Sequence, residues 1–204
     1  TFNKMVNGEQ ITVQFHVDDL KVSHKEQSVL DDFLNDLRNE FGQEDELTEN
    51  RGLVHEYLGI TIDYSIPRKV VFTMFDYLED VIVEASEDLQ HSRSYYPGND
   101  SLMKVDEDSP RLPTKDADLF HCHVARLLFA SKRARPDIQV CVAFLCTRVK
   151  APTEQDYKKL GKVISYLKET VHLPLVVGAN DSGKLTWNTD ASFSVHPDCK
   201  SHTG

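Results

Sequence analysis

Nowhere in the 204-residue chain is there a run of about 18 apolar residues, so no stretch of it is long enough to cross a bilayer as a helix. The N-terminus lacks the basic segment and apolar run of a secretory leader, and a cytoplasmic or nuclear residence is the expectation. It also lacks an initiating Met; a chain that opens mid-strand at Thr1 and stops at Thr203-Gly204 reads as a piece of something longer. Cys122, Cys141, Cys146 and Cys199 show none of the paired spacings of a zinc site or a disulfide framework, and read as reduced, mostly buried thiols. Aromatic residues are scattered at core-like spacing, with Trp187 expected between sheet and helix, so no stacking platform for single strands is visible. Internal repeats and low-complexity tracts are absent.

What is present is charge, unevenly placed. The net charge of -10 argues against nucleic-acid binding by bulk electrostatics. The acids, however, crowd into 26–50 and 76–118. Arg126, Lys132, Arg133, Arg135, Arg148 and Lys150 fall in one 25-residue window whose only acid is Asp137. An ordinary solvated face is one reading of that window; a track for a phosphate backbone is the other.

The element pattern predicts an α+β fold. Thr1 to Val6, Asn7-Gly8 and Ile11 to Phe15 read as strand, turn and strand, because Asn-Gly supplies the positive φ a two-residue hairpin needs. Val17-Asp18-Asp19 interrupts, and Leu20 to Val22 resumes a strand, giving a second hairpin with two carboxylates at its tip. Ser23 and Glu26 have capping-box spacing ahead of a helix striped by Val29, Leu30, Phe33, Leu34, Leu37 and Phe41. Gly42 at its end suggests a left-handed cap. Further strands are expected at Glu56 to Tyr64 and Lys69 to Met74, and a helix from Asp76 with Leu78, Ile82 and Ala85 inward. Residues 92–113 read as a linker or surface loop. Helices follow at 116–133, 136–149 (opened by Pro136) and 154–170, then strands at Leu173–Val177 and Lys184–Thr189 around a turn at Asn180–Gly183.

The chemistry centres on Phe15-His-Val-Asp-Asp-Leu20. Adjacent carboxylates repel and raise each other's pKa, and a hard divalent cation relieves that repulsion. On its own the pair reads as a solvated turn, because Asp is common in turns. Its surroundings resemble the palm of copia-type retrotransposon reverse transcriptases, in which a Tyr-Val-Asp-Asp turn carries metal-binding aspartates. Here His16 stands in the Tyr position, and Val17, Asp18 and Asp19 match. Four further segments are similar to that family in order and spacing. They are Glu56-Tyr-Leu-Gly-Ile-Thr-Ile62; Val124-Ala-Arg-Leu-Leu-Phe-Ala130 with Arg133-Ala-Arg-Pro-Asp-Ile138; Lys162-Val-Ile-Ser-Tyr-Leu-Lys168 with Thr170; and Thr189-Asp-Ala-Ser192 with Lys200-Ser-His-Thr-Gly204. Ala134 replaces a Thr of the family pattern, and Glu169 a Gly.

The resemblance implies a palm remnant over 1–91, the linker 92–113, a helical thumb or connection region over 114–172, and the start of an RNase H-like domain over 173–204. It implies an intact parent that copies RNA into DNA, with two Mg²⁺ ions as cofactors and template-primer and deoxynucleotides as partners, and no membrane. Asp18 would be the main metal ligand and Asp19 its partner; Asp190 would be the first carboxylate of the RNase H site. Arg126, Lys132, Arg133 and Arg135 would face the template-primer backbone. A third palm carboxylate is expected from an upstream strand, so this chain alone is expected to lack polymerase activity. The competing expectation is a catalytically inactive remnant of such an element. His196, Cys199 and His202 also raise a metal question, but three donors at tight spacing without a second half are a weak zinc pattern. His121, Cys122 and His123 are weaker, since neighbours on a helix point apart.

Overall fold

The computed structural model describes residues 1–42, 47–86, 89, 93–179, 184, 186, 189–194 and 202–203. The fold is α+β with antiparallel sheets, and the chain divides into two compact units, Thr1–Leu58 and Gly59–Gly204.

In the first unit β1 (Phe2–Val6), β2 (Glu9–His16) and β3 (Asp19–Ser23) form a meander in the order β1-β2-β3. Asn7 (φ 54) and Gly8 (φ 82) make the first turn, as the Asn-Gly pair predicts. Helix α1 (Gln27–Phe41) follows. Its expected capping box does not form. Ser23 is held in the ladder opposite Thr12, so the helix starts later, behind Glu26, with no side-chain cap. Instead, Asn7 Nδ2 donates to Glu26 Oε2 at 3.1 Å, and Lys25 Nζ donates to Glu9 Oε1 at 2.6 Å, tying the helix start to the first hairpin. Gly42 is not left-handed either: its φ is -72, and a Cβ there would crowd the Arg38 carbonyl. Of this unit's described apolar side chains, only Ile11 and Val29 are buried. β4 (Val54–Tyr57) closes the unit.

The strand expected over 56–64 is broken in two. Leu58 (φ 54) and Gly59 (φ 69) form a turn between β4 and β5 (Ile60–Asp63). In the second unit β5 pairs with β6 (Lys69–Thr73), and β6 pairs with β7 (Leu175–Gly178), both antiparallel. The Leu173–Val177 strand thus has β6 as its described neighbour. Its expected partner at Lys184–Thr189 and the turn at 180–183 lie largely outside the described residues, as does Trp187. Short strands β8 (Ala191–Ser192) and β9 (His202–Thr203) pair with each other.

Four helices make the core: α2 (Phe75–Glu84), α3 (Thr114–Ser131), α4 (Gln139–Cys146) and α5 (Glu154–Thr170). Their apolar stripes, Leu78-Val81-Ile82, Phe120-Val124-Leu127, Val142-Leu145 and Leu160-Ile164-Leu167, are fully or almost fully buried together. Each such side chain contributes roughly 1.5–3 kcal/mol by leaving water. Pro136 opens a 3-10 turn, Pro136–Ile138, ahead of α4 rather than a continuous helix, and α4 stops at Cys146. Residues 93–113 are irregular yet packed down. Leu102, Met103, Val105 and Leu112 rest on the core, and Leu112 N donates to Pro152 O at 3.0 Å. No helix among the described residues is long and apolar enough to cross a membrane.

Candidate functional site

The β2–β3 hairpin sets His16 opposite Asp19 and Phe15 opposite Leu20, leaving Val17 and Asp18 as the turn. Two faces follow from the two-residue period. Ile11, Val13, Phe15, Leu20 and Val22 share one, with Phe2 stacked on Phe15 at 5.6 Å and an interplanar angle of 15°. Thr12, Gln14, His16, Asp19 and Lys21 share the other. There Thr12 Oγ1 donates to Asn3 Oδ1 at 2.9 Å and Gln10 Nε2 donates to Thr12 Oγ1 at 2.9 Å. Asp18 therefore projects from the turn and Asp19 from the first strand position beyond it, both exposed. Val17 adopts φ 50, a costly conformation for a β-branched side chain, and is 81% exposed, so packing does not offset the strain.

Two neighbouring carboxylates supply hard oxygen donors of the kind Mg²⁺ takes when phosphate oxygens and water complete its shell. Among the described residues no group of three His, Cys, Asp or Glu side chains is gathered to hold a metal ion, so the pair has no third protein ligand there. Asp190 lies in the second unit, directly before β8. It is exposed, and its Oδ1 accepts from Ala191 N at 2.8 Å. His196 and Cys199 lie outside the described residues. His121 and Cys122 are exposed while His123 is buried, so these three do not converge.

The basic window separates into unlike parts. Arg135, expected on a phosphate-facing surface, is 1% exposed and belongs to the core. Its Nε donates to Asp137 Oδ1 at 3.0 Å, its Nη2 to Asp137 Oδ2 at 2.7 Å and its Nη1 to Thr170 O at 2.9 Å. Tyr166 adds its hydroxyl to Asp137 Oδ2 at 2.8 Å. Burial works against the Asp137 carboxylate, but the Arg135 guanidinium and the Tyr166 hydroxyl outweigh it and hold its pKa below the ordinary range. Arg126 pairs with Glu84 and lies over the Tyr77 ring, whose hydroxyl donates to Arg126 O at 3.1 Å. Arg133 stacks on Phe129, and Lys132 caps α3 in an exposed position. Arg148 serves the fully buried Asp156 through Nε at 3.2 Å.

Sequence reasoning missed that last cluster. Asp156 accepts from Thr153 N and Thr153 Oγ1, each at 3.0 Å, completing a capping box at the start of α5. The signal was there: Thr-x-x-Asp ahead of an apolar stripe. His123, weighed in the sequence only as a weak metal donor, is 3% exposed on α3, and its Nδ1 finds no partner among the described residues.

The chain is 25% identical over 166 residues to an uncharacterized mitochondrial protein of Arabidopsis thaliana, AtMg00810. The match takes in 81% of this chain and 64% of that protein, so the chain spans less than two thirds of its relative's length. No protein-family profile matches the chain. No solved structure matches it.

Proposed function

We propose that this chain is a segment of a copia-type retrotransposon reverse transcriptase, carrying the metal-binding hairpin of the palm, helices of the thumb or connection region and the opening of an RNase H-like domain. The observation that carries the reading is the tight β2–β3 turn, with Asp18 in the turn and Asp19 opening β3, both exposed at the tip of a hairpin that is apolar on one face. The five sequence segments in register support it, and the similarity to the Arabidopsis protein over four fifths of the chain is compatible with it. When bound, Mg²⁺ would supply charge stabilisation for nucleotidyl transfer. Asp18 and Asp19 would hold it, and Asp190 would begin a second, separate metal site. Lys132, Arg133 and part of Arg126 remain for a nucleic-acid backbone once Arg135 is assigned to the core.

A second reading, a catalytically inactive remnant, is favoured by His16 in the position of the family's Tyr and by the net charge of -10. Both readings predict no primer extension by this chain alone. The metal separates them. Titration with Mn²⁺ should broaden the backbone amide resonances of Val17 to Leu20 selectively, and the effect should vanish in an Asp18→Asn, Asp19→Asn double variant. Broadening that is absent, or unchanged in the double variant, rules out the metal-binding hairpin.

A further inference from the structure

Among the arginines of the basic window, Arg133 differs in its partners. Arg126, Arg135 and Arg148 each face a carboxylate: Glu84, Asp137 and Asp156. Arg133 has no carboxylate within ion-pair distance among the described residues. Its guanidinium carbon lies 3.6 Å from the centroid of the Phe129 ring, and its Nη1 donates to Phe129 O at 3.3 Å. That ring is itself steadied by Tyr77, with centroids 5.3 Å apart. The side chain is thus held over the ring, while its Nε and Nη2 have no acceptor among the described residues. Exposed Lys132 precedes it in the chain.

A planar guanidinium fixed on an aromatic face presents two parallel N–H groups at the spacing of two phosphate oxygens. In a chain of net charge -10, a cation left unanswered and pre-ordered in this way is suited to an anion from outside. We infer that Arg133, stacked on Phe129, is a pre-set fork for one phosphodiester of a nucleic-acid backbone, with Lys132 as its companion cation. The choice of nucleic acid as the phosphate source rests on the function proposed above. The fork itself rests on the stacking geometry.

The test is binding of the full 204-residue chain to a fluorescent RNA–DNA hybrid duplex across a salt series. Arg133→Ala should weaken binding about tenfold and flatten the slope of log affinity against log salt by about 0.9, the loss of one phosphate contact. Arg133→Lys should keep the slope but recover only part of the affinity, because an ammonium cannot make the fork. Phe129→Leu, which keeps apolar bulk but removes the ring, should weaken binding severalfold at unchanged slope. Lys158→Ala, which removes an exposed charge on α5, should bind as the parent does. Thermal unfolding of each variant checks that the fold survives.

The inference fails if the parent chain does not bind the hybrid. It fails equally if Arg133→Ala or Arg133→Lys binds like the parent, or if Lys158→Ala loses as much as Arg133→Ala. Displacement of the hybrid by millimolar inorganic phosphate would mean a free-anion site and also overturns it. Manganese broadening at Val17–Leu20 is read independently, so the hairpin and the fork can fail separately.

Discussion

Tyr166 on α5 and Asp137 in the 3-10 turn, 29 positions apart in sequence, meet through a 2.8 Å hydrogen bond that completes the enclosure of Arg135. The guanidinium has two carboxylate oxygens, a backbone carbonyl and the Thr170 hydroxyl as acceptors, and its plane lies near the Tyr166 ring. Removing one partner of such a group leaves the others desolvated and unanswered.

Arg135→Ala is therefore expected to destabilise the second unit by about 3 kcal/mol, the lower end for breaking a buried pair, because Asp137 keeps some contact with water. Arg135→Lys should recover little, since an ammonium cannot serve Asp137 and Thr170 together. Urea unfolding measures both. Loss of less than about 1 kcal/mol in the Ala variant would show that the cluster is not a structural centre.

His123 predicts an acid dependence. Burial, and then the nearby Arg126 charge, push its pKa below the ordinary value, so the fold favours the neutral ring. The unfolded chain binds the extra proton first. Stability is thus full above the unfolded value of about 6.5, declines as pH falls below it, and stops declining once the folded value is passed. His123→Phe should flatten the fall in Tm between about pH 7 and pH 5, leaving only the carboxylate contribution. Parallel curves for parent and variant would contradict this.

How much of this was legible before the fold was known depended on how local each signal is. The 154–170 helix reads directly off its apolar stripe, and the structure returns those bounds. Asn7-Gly8 reads as a turn because its chemistry is contained in two residues. Ser23 misled because a strand and a helix cap compete for it, and the ladder to Thr12 prevails. Leu58 gave no warning of a positive φ beyond the glycine after it. Arg135 looked like its surface neighbours, since its acceptors on Thr170 arrive only when α5 folds back from 35 positions away. For Asp18 and Asp19, the hairpin was legible. The partners that would complete a metal shell were not, because such ligands converge from distant segments.

Val17 sits at the candidate site in a conformation its side chain disfavours by about 1–2 kcal/mol. Asn accepts positive φ more readily, and no packing is lost at so exposed a position. Val17→Asn should slow amide hydrogen exchange in β2 and β3 about fivefold. Val17→Pro, whose ring fixes φ near -65°, should open the hairpin. Faster exchange in the Asn variant would show that the turn is not strained.

Thr153→Ala removes the cap of α5 and is expected to cost about 1–2 kcal/mol. Asp156→Ala should cost more, about 3 kcal/mol, because it also strips Arg148 of its carboxylate. In the double variant the two losses should fall short of their sum, since both act on one network. Denaturation of the three variants gives the coupling, and strict additivity would argue that cap and ion pair are independent.

The β6–β7 ladder joins segments about a hundred residues apart, a span that places it among slow, non-local contacts. During synthesis β6 emerges long before β7 does. Until Leu175 has left the ribosome, one side of β6 offers bare amides and carbonyls to any neighbouring strand. Four helices must therefore assemble over an unfinished sheet, and nascent chains halted before that point are the ones in which self-association should begin.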